Sequence, residues 1–172
     1  MNAHSARNDQ RLRAALKLEG VLIGEHRKKV AEIGRSIAHT ITYVESAEGA
    51  NCVTYTLGLV SHPNYRSIAR TGIFAGTDFI NWLLAGRRLD KLSHPAPGVV
   101  VLYFNNDRWT HLGVITASGE VLSKWGEFPV YQHGLWEVPA SYGQDVKYFR
   151  LPNEEEVLRL FQEFADEQAA RS

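Results

Sequence analysis

Pro97–Trp125, PGVVVLYFNNDRWTHLGVITASGEVLSKW, holds three β-rich runs separated by two turn signals. Val99 to Phe104 is an uninterrupted apolar run, the pattern of a strand buried on both faces. Asn105-Asn106-Asp107 favours a turn, and Trp109 to Thr116 resumes the strand pattern. Ala117-Ser118-Gly119 is a second tight connection, after which Glu120 to Trp125 alternates again. The expected product is an antiparallel meander with His111, a titratable group, in its middle strand.

Loop length decides what His111 faces. A three-residue loop at Ala117–Gly119 pairs Thr116 with Glu120, setting Gly113 opposite Ser123 and His111 opposite Trp125. His111, Gly113, Ile115, Val121, Ser123 and Trp125 then share one face. A two-residue turn slips the register by one and puts Lys124 in place of Ser123. The three-residue loop is preferred. Gly113, with no side chain, leaves a hollow where another backbone approaches closely.

Upstream, the first 20 residues are polar, with Leu12, Leu16 and Leu18 as scattered apolar points. They are expected to form a flexible or helical arm, 1–20, ahead of a single domain, 21–172. Ile23, Val30, Ile33, Ile37 and Ile41 form one helical stripe. Arg27, Lys28, Lys29 and Arg35 fall mainly off it, as on a solvated helix face. Thr40 to Val44 is β-favouring, whereas Val53 to Val60 fits a strand or a buried helix equally. Residues 61–76 look like a loop. Thr77 caps a helix carrying Phe79, Ile80, Leu83 and Leu84 that Gly86 ends. Beyond the meander, 126–132 is expected as a loop, with short strands at 134–138 and 146–150. Asn153, with Glu156 three residues on, opens a last helix. The order is α+β rather than alternating βαβ.

Composition bounds the function. Lysine plus arginine equals aspartate plus glutamate, at 19 each among 172 residues. That balance argues against a nucleic-acid partner held by bulk charge. No apolar run approaches the ~20 residues that span a bilayer, and the first residues lack the apolar core of a secretory signal. A cytoplasmic protein, or one exported without a signal peptide, is expected, with no membrane partner. The one cysteine, Cys52, forms no intrachain disulfide and is a poor basis for a thiolate metal site. No cofactor or metal is expected. What remains is a buried thiol or a nucleophile.

Taken singly, His111 reads as a satisfied sheet residue and Cys52 as a core thiol. Together they suggest more, because thiol catalysis needs an imidazole and the two come from distant parts of a chain. The aromatic residues Trp109, Trp125, Tyr131, Trp136 and Tyr142 read as packing, or as a groove beside the cysteine with Trp125 in its wall.

At this point the sequence resembles the papain-like cysteine hydrolases of the NlpC and CHAP type, in a divergent branch. Asn51-Cys52 matches a nucleophile that opens a helix after a short polar residue. Pro97-Gly98-Val99-Val100-Val101 matches the turn into a hydrophobic strand, and His111-Leu112-Gly113-Val114-Ile115 matches the histidine strand. Ser118-Gly119-Glu120-Val121-Leu122-Ser123 matches the turn and third strand. The likeness spans roughly residues 45 to 126.

The resemblance implies an antiparallel sheet packed against a helix with Cys52 at its N-terminus. It implies Cys52 as nucleophile, His111 as proton shuttle, and Ser123 at the orienting position, where the family usually has His, Asn, Gln or Asp. His133 and then Glu137 are the alternatives for that role. The implied activity is hydrolysis of an amide bond in a peptide-like or cell-wall-peptide substrate. Acyl transfer or deamidation would use the same residues. A non-catalytic module that binds a peptide or protein is the reading from another class.

Overall fold

The structure, a computed structural model, describes residues 3–17 and 20–171; Leu18 lies outside them. The strands are β1 (Thr42–Glu45), β2 (Lys91–Leu92), β3 (Val99–Asn105), β4 (Arg108–Ile115), β5 (Val121–Lys124), β6 (Val130–His133) and β7 (Asp145–Arg150). They form one antiparallel sheet in the order β1-β6-β5-β4-β3-β7-β2. Among the described residues there are six α-helices: α1 (Ala3–Ala15), α2 (Ile23–Ile33), α3 (Cys52–Thr56), α4 (Pro63–Ala69), α5 (Thr77–Ala85) and α6 (Glu154–Ala169). The class is α+β, as expected.

The meander lies at the centre of the sheet. β3 is buried on both faces from Val99 to Phe104. Asn105 pairs with Arg108 across a two-residue turn in which Asn106 (φ 49°) and Asp107 (φ 63°) are left-handed, a conformation that Asn and Asp tolerate. The three-residue loop is present, since Ile115 pairs with Val121 and the Thr116 N–H donates to the Glu120 carbonyl at 2.8 Å. Gly113 fills the role its missing side chain suggests: a Cβ there would sit 2.7 Å from the Leu122 carbonyl oxygen and from Ser123 Cβ.

Each face of the sheet carries its own core. On one, Val100, Leu102, Phe104 and Leu112 meet Val53 of α3 and its C-cap Leu57, Phe79 and Leu83 of α5, and Phe161 and Phe164 of α6. On the other, Val101, Tyr103, Ile115, Val121, Trp125 and Tyr131 meet Leu12 and Leu16 from the α1 region and Val30 of α2. An isolated 13-residue polar helix is marginal in water. Burying Leu12 and Leu16 contributes about 2 kcal/mol each and ties this N-terminal segment into the core.

Several elements differ from their sequence reading. The apolar stripe runs to Ile41, but α2 stops at Ile33 with Gly34 as its C-cap, and Ile37 and Ile41 are buried outside the helix. Residues 63–69 form α4 rather than loop: Pro63 occupies its first turn, where no N–H is needed, and His62 Nδ1 caps Asn64 N. The N-cap of α5 is Gly76 instead of Thr77. The strand expected at 134–138 lies at Val130–His133, because β6 must pair with β5 through Val121–His133 and Lys124–Val130. Asn153 caps α6 as read, its Oδ1 accepting from Glu156 N at 2.9 Å.

Candidate active site

Cys52 is the first residue of α3. Asn51 Oδ1 accepts from Thr54 N at 2.8 Å, and the Asn51 N–H donates to Thr54 Oγ1 at 3.0 Å. This reciprocal cap, together with burial of Val53 and Leu57, overrides the strand propensity of the run. A second bond, from Asn51 Nδ2 to the Ala75 carbonyl at 3.1 Å, ties the cap to the segment before α5.

The strands open beside this helix. β4 and β5 pair at Val114–Leu122 and Ile115–Val121; beyond Gly113 and Ser123 they part, β4 following β3 and β5 following β6. α3 packs against both strands at that fork. The main-chain N–H groups of Leu112, Val53 and Cys52 face the sulfur and draw its pKa down, as does the Lys124 ammonium. Burial outweighs them and pushes the thiol above its ordinary value. With five residues, α3 is too short for the strong dipole effect that a cysteine at a helix N-terminus suggests.

His111 sits at a β-bulge: Tyr103 pairs with His111 and Phe104 with Trp109, leaving Thr110 as the extra residue. The imidazole is 1% exposed and points from the Tyr103 face. Its ring stacks on Tyr142, centroids 4.0 Å apart, and its Nε2 has no hydrogen-bond partner. Burial, then the neighbouring His133, hold its pKa well below the ordinary value, so the ring is neutral near pH 7. α3 packs from the opposite face, and Cys52 joins the core there. Cys52 and the His111 ring therefore lie on opposite faces of the sheet, and among the described residues no hydrogen bond joins them. Leu112, whose N–H faces the sulfur, directly follows His111, and the charge of Cys52 is felt by Tyr142, which burial already raises.

Ser123 lies on the His111 face, completely buried. His133 Nδ1 lies 2.8 Å from the Gly134 carbonyl, which only accepts, so the ring proton of neutral His133 is on Nδ1. Its Nε2 therefore accepts from the Ser123 hydroxyl at 2.8 Å, while Ser123 Oγ accepts from Trp125 Nε1 at 3.1 Å. Ser123 thus orients His133 and does not meet the unpartnered Nε2 of His111. Burial lowers His133 to about 4. Glu137 binds Thr40 N, Thr40 Oγ1 and Gly134 N at 2.8, 2.6 and 2.9 Å, closing the loop over the approach to β1. Trp125 is core, its indole between His26, Tyr131 and His133, and not a groove wall.

Two site residues escaped sequence reasoning. Tyr142 stood out only as one of several aromatics; its role comes from a 3-10 turn, Ala140–Tyr142, held over the meander. Gly143 (φ 100°) follows it, where a Cβ would run into the Phe104 carbonyl. Lys124 enters the sequence reading only through the two-residue register, which the structure does not adopt. It is buried, and its Nζ donates to the Phe128 carbonyl at 2.6 Å.

Among the described residues no group of three or more His, Cys, Asp or Glu side chains is placed to hold a metal ion, and no helix is long and apolar enough to cross a membrane. No protein-family model, curated protein or solved structure matches the chain.

Proposed function

We propose that the chain is a papain-like thiol hydrolase that cleaves an amide bond at Cys52. The observation that carries this reading is the buried Nε2 of His111, unpartnered, on the residue before the N–H that faces the sulfur. A buried polar atom without a partner costs about 1–3 kcal/mol, and such a group calls for a role. Both partners rest neutral. An imidazole held well below its ordinary pKa is a free proton acceptor at pH 7. As sulfur attacks the carbonyl carbon, the thiol proton must cross the opening between β4 and β5 to reach His111, because the two side chains lie on opposite faces of the sheet. The N–H groups around the sulfur face the developing oxyanion. His111 returns the proton to the departing amine, and water then releases the acid and restores the thiol.

The test uses p-nitrophenyl acetate. Attack transfers acetyl to sulfur and releases p-nitrophenolate, and hydrolysis regenerates the thiol. Release beyond one equivalent per chain, lost in Cys52→Ala and slowed at least tenfold in His111→Ala, supports the reading. Alkylation of Cys52 by iodoacetamide only after denaturation sinks it. A non-catalytic binding module is the second reading, favoured by the raised thiol and by Ser123 being engaged with His133. It expects no turnover.

A further inference from the structure

Beside Cys52 the surface opens into a cavity of about 770 Å³ whose lining includes Asn51, Lys124, Arg27, Tyr43, Glu48 and Glu127. Lys124 is its unusual member. The residue is 2% exposed, and its ammonium has the Phe128 carbonyl as acceptor. Among the described residues no carboxylate lies within ion-pair distance of it. An ammonium has three donors, and one carbonyl satisfies one of them. Glu127 acts on it only through space, and a buried cation without an ion-pair partner is a costly arrangement that an arriving anion relieves.

We propose that this cavity admits a substrate carrying a carboxylate close to the amide bond, and that Lys124 is the residue that holds it. The inference rests on the hydrolase reading of Cys52. The cavity wall includes Asn51, the residue before Cys52, and Lys124 and Cys52 each feel the other's charge. Arg27, its guanidinium 4.3 Å from the centre of the Tyr43 ring, adds a second cation on the cavity wall. Glu48 and Glu127 on the same lining oppose a further negative charge, which selects a monoanion over a phosphate dianion. A carboxylate of a peptide terminus or an acidic side chain meets these terms.

Two small alkylating agents test it on the intact chain. Iodoacetamide transfers a carbamoylmethyl group to sulfur and iodoacetate a carboxymethyl group, each with loss of iodide, so they differ only in the carboxylate. The quantity read is the ratio of the iodoacetate rate to the iodoacetamide rate at Cys52, against the same ratio for N-acetylcysteine. Wild type is expected to exceed the free thiol about tenfold, the scale of one nearby cation in a partly desolvated site. Lys124→Arg keeps the excess and Lys124→Met removes it.

A wild-type ratio no higher than that of N-acetylcysteine overturns the carboxylate proposal and leaves the hydrolase reading standing. The wild-type measurement decides this even where Lys124→Met does not fold. An excess that survives in folded Lys124→Met overturns the assignment to Lys124. Failure of both agents to reach Cys52 in the folded chain overturns both proposals together.

Discussion

The Tyr142 ring lies flat against the His111 imidazole, with 4.0 Å between centroids and 18° between planes. Arg13 holds this shelf from below by donating to the carbonyls of Val138 and Gly143, and Thr110 Oγ1 donates to the Tyr142 carbonyl. Removing the ring in Tyr142→Ala admits water to His111, whose pKa is depressed chiefly by burial. Its pKa is expected to rise toward the ordinary histidine value of about 6.5. An NMR titration of the ring protons reads this directly; an imidazole that still fails to titrate above pH 5 contradicts it.

Thiol reactivity should report a neutral resting pair. Burial raises Cys52 above its ordinary value of 9.0 and His111 is lowered, so no thiolate–imidazolium plateau is expected between pH 5 and 7. The iodoacetamide rate is expected to climb through an inflection above pH 9. An inflection below pH 7 would mean a preformed ion pair.

Gly113→Ala places a Cβ 2.7 Å from the Leu122 carbonyl oxygen, from Ser123 Cβ and from Val121 Cγ1, of which the carbonyl and the Cβ are fixed by the β5 backbone. The loss expected is about 2 kcal/mol, typical of overpacking a tight site. Urea midpoints measure it, and an unchanged midpoint refutes the close approach.

Acid should unfold the chain through its buried histidines. Burial brings both His133 and His26 to about 4, while in the unfolded chain each titrates at its ordinary 6.5. Stability is whole above pH 6.5 and falls between 6.5 and 4, where the unfolded state takes up the protons. Each ring is worth about 3 kcal/mol at the lower end. Chemical denaturation at pH 7, 5.5 and 4.5 gives the slope, which His26→Phe should make shallower. A flat profile contradicts the burial of both rings.

Ser123→Ala strips His133 Nε2 and Trp125 Nε1 of their shared partner inside a site closed to water. A loss of about 2–4 kcal/mol is expected from two orphaned groups. Should Ser123→Ala match wild type in stability, the Ser123–His133 assignment fails.

What the sequence disclosed follows the range of the forces involved. The strands, both turns and the register of the meander are local, written in alternation and in turn residues such as Asn106, Asp107 and Gly119. α3 was ambiguous because a five-residue helix leaves no period to detect; the Asn51–Thr54 cap was its one local sign. β6 was misplaced because its position is set by pairing with β5, a non-local matter. The same limit applies at the site. Cys52, His111 and Ser123 can be picked out by type and spacing, but a hydroxyl that turns to His133 leaves no trace in spacing. Nor does a fork between two strands.

The bonds from Arg13 reach carbonyls 125 and 130 residues further along the chain. Contacts of such separation close slowly, because the loop entropy is lost before the contact forms. A ribosome delivers the first helix long before the turn it grips, so α1 must wait, unpartnered on this side, while the sheet is made. Cys52 and His111 emerge before the turn that carries Tyr142. The shelf over His111 is therefore completed late in synthesis, once residue 143 has arrived.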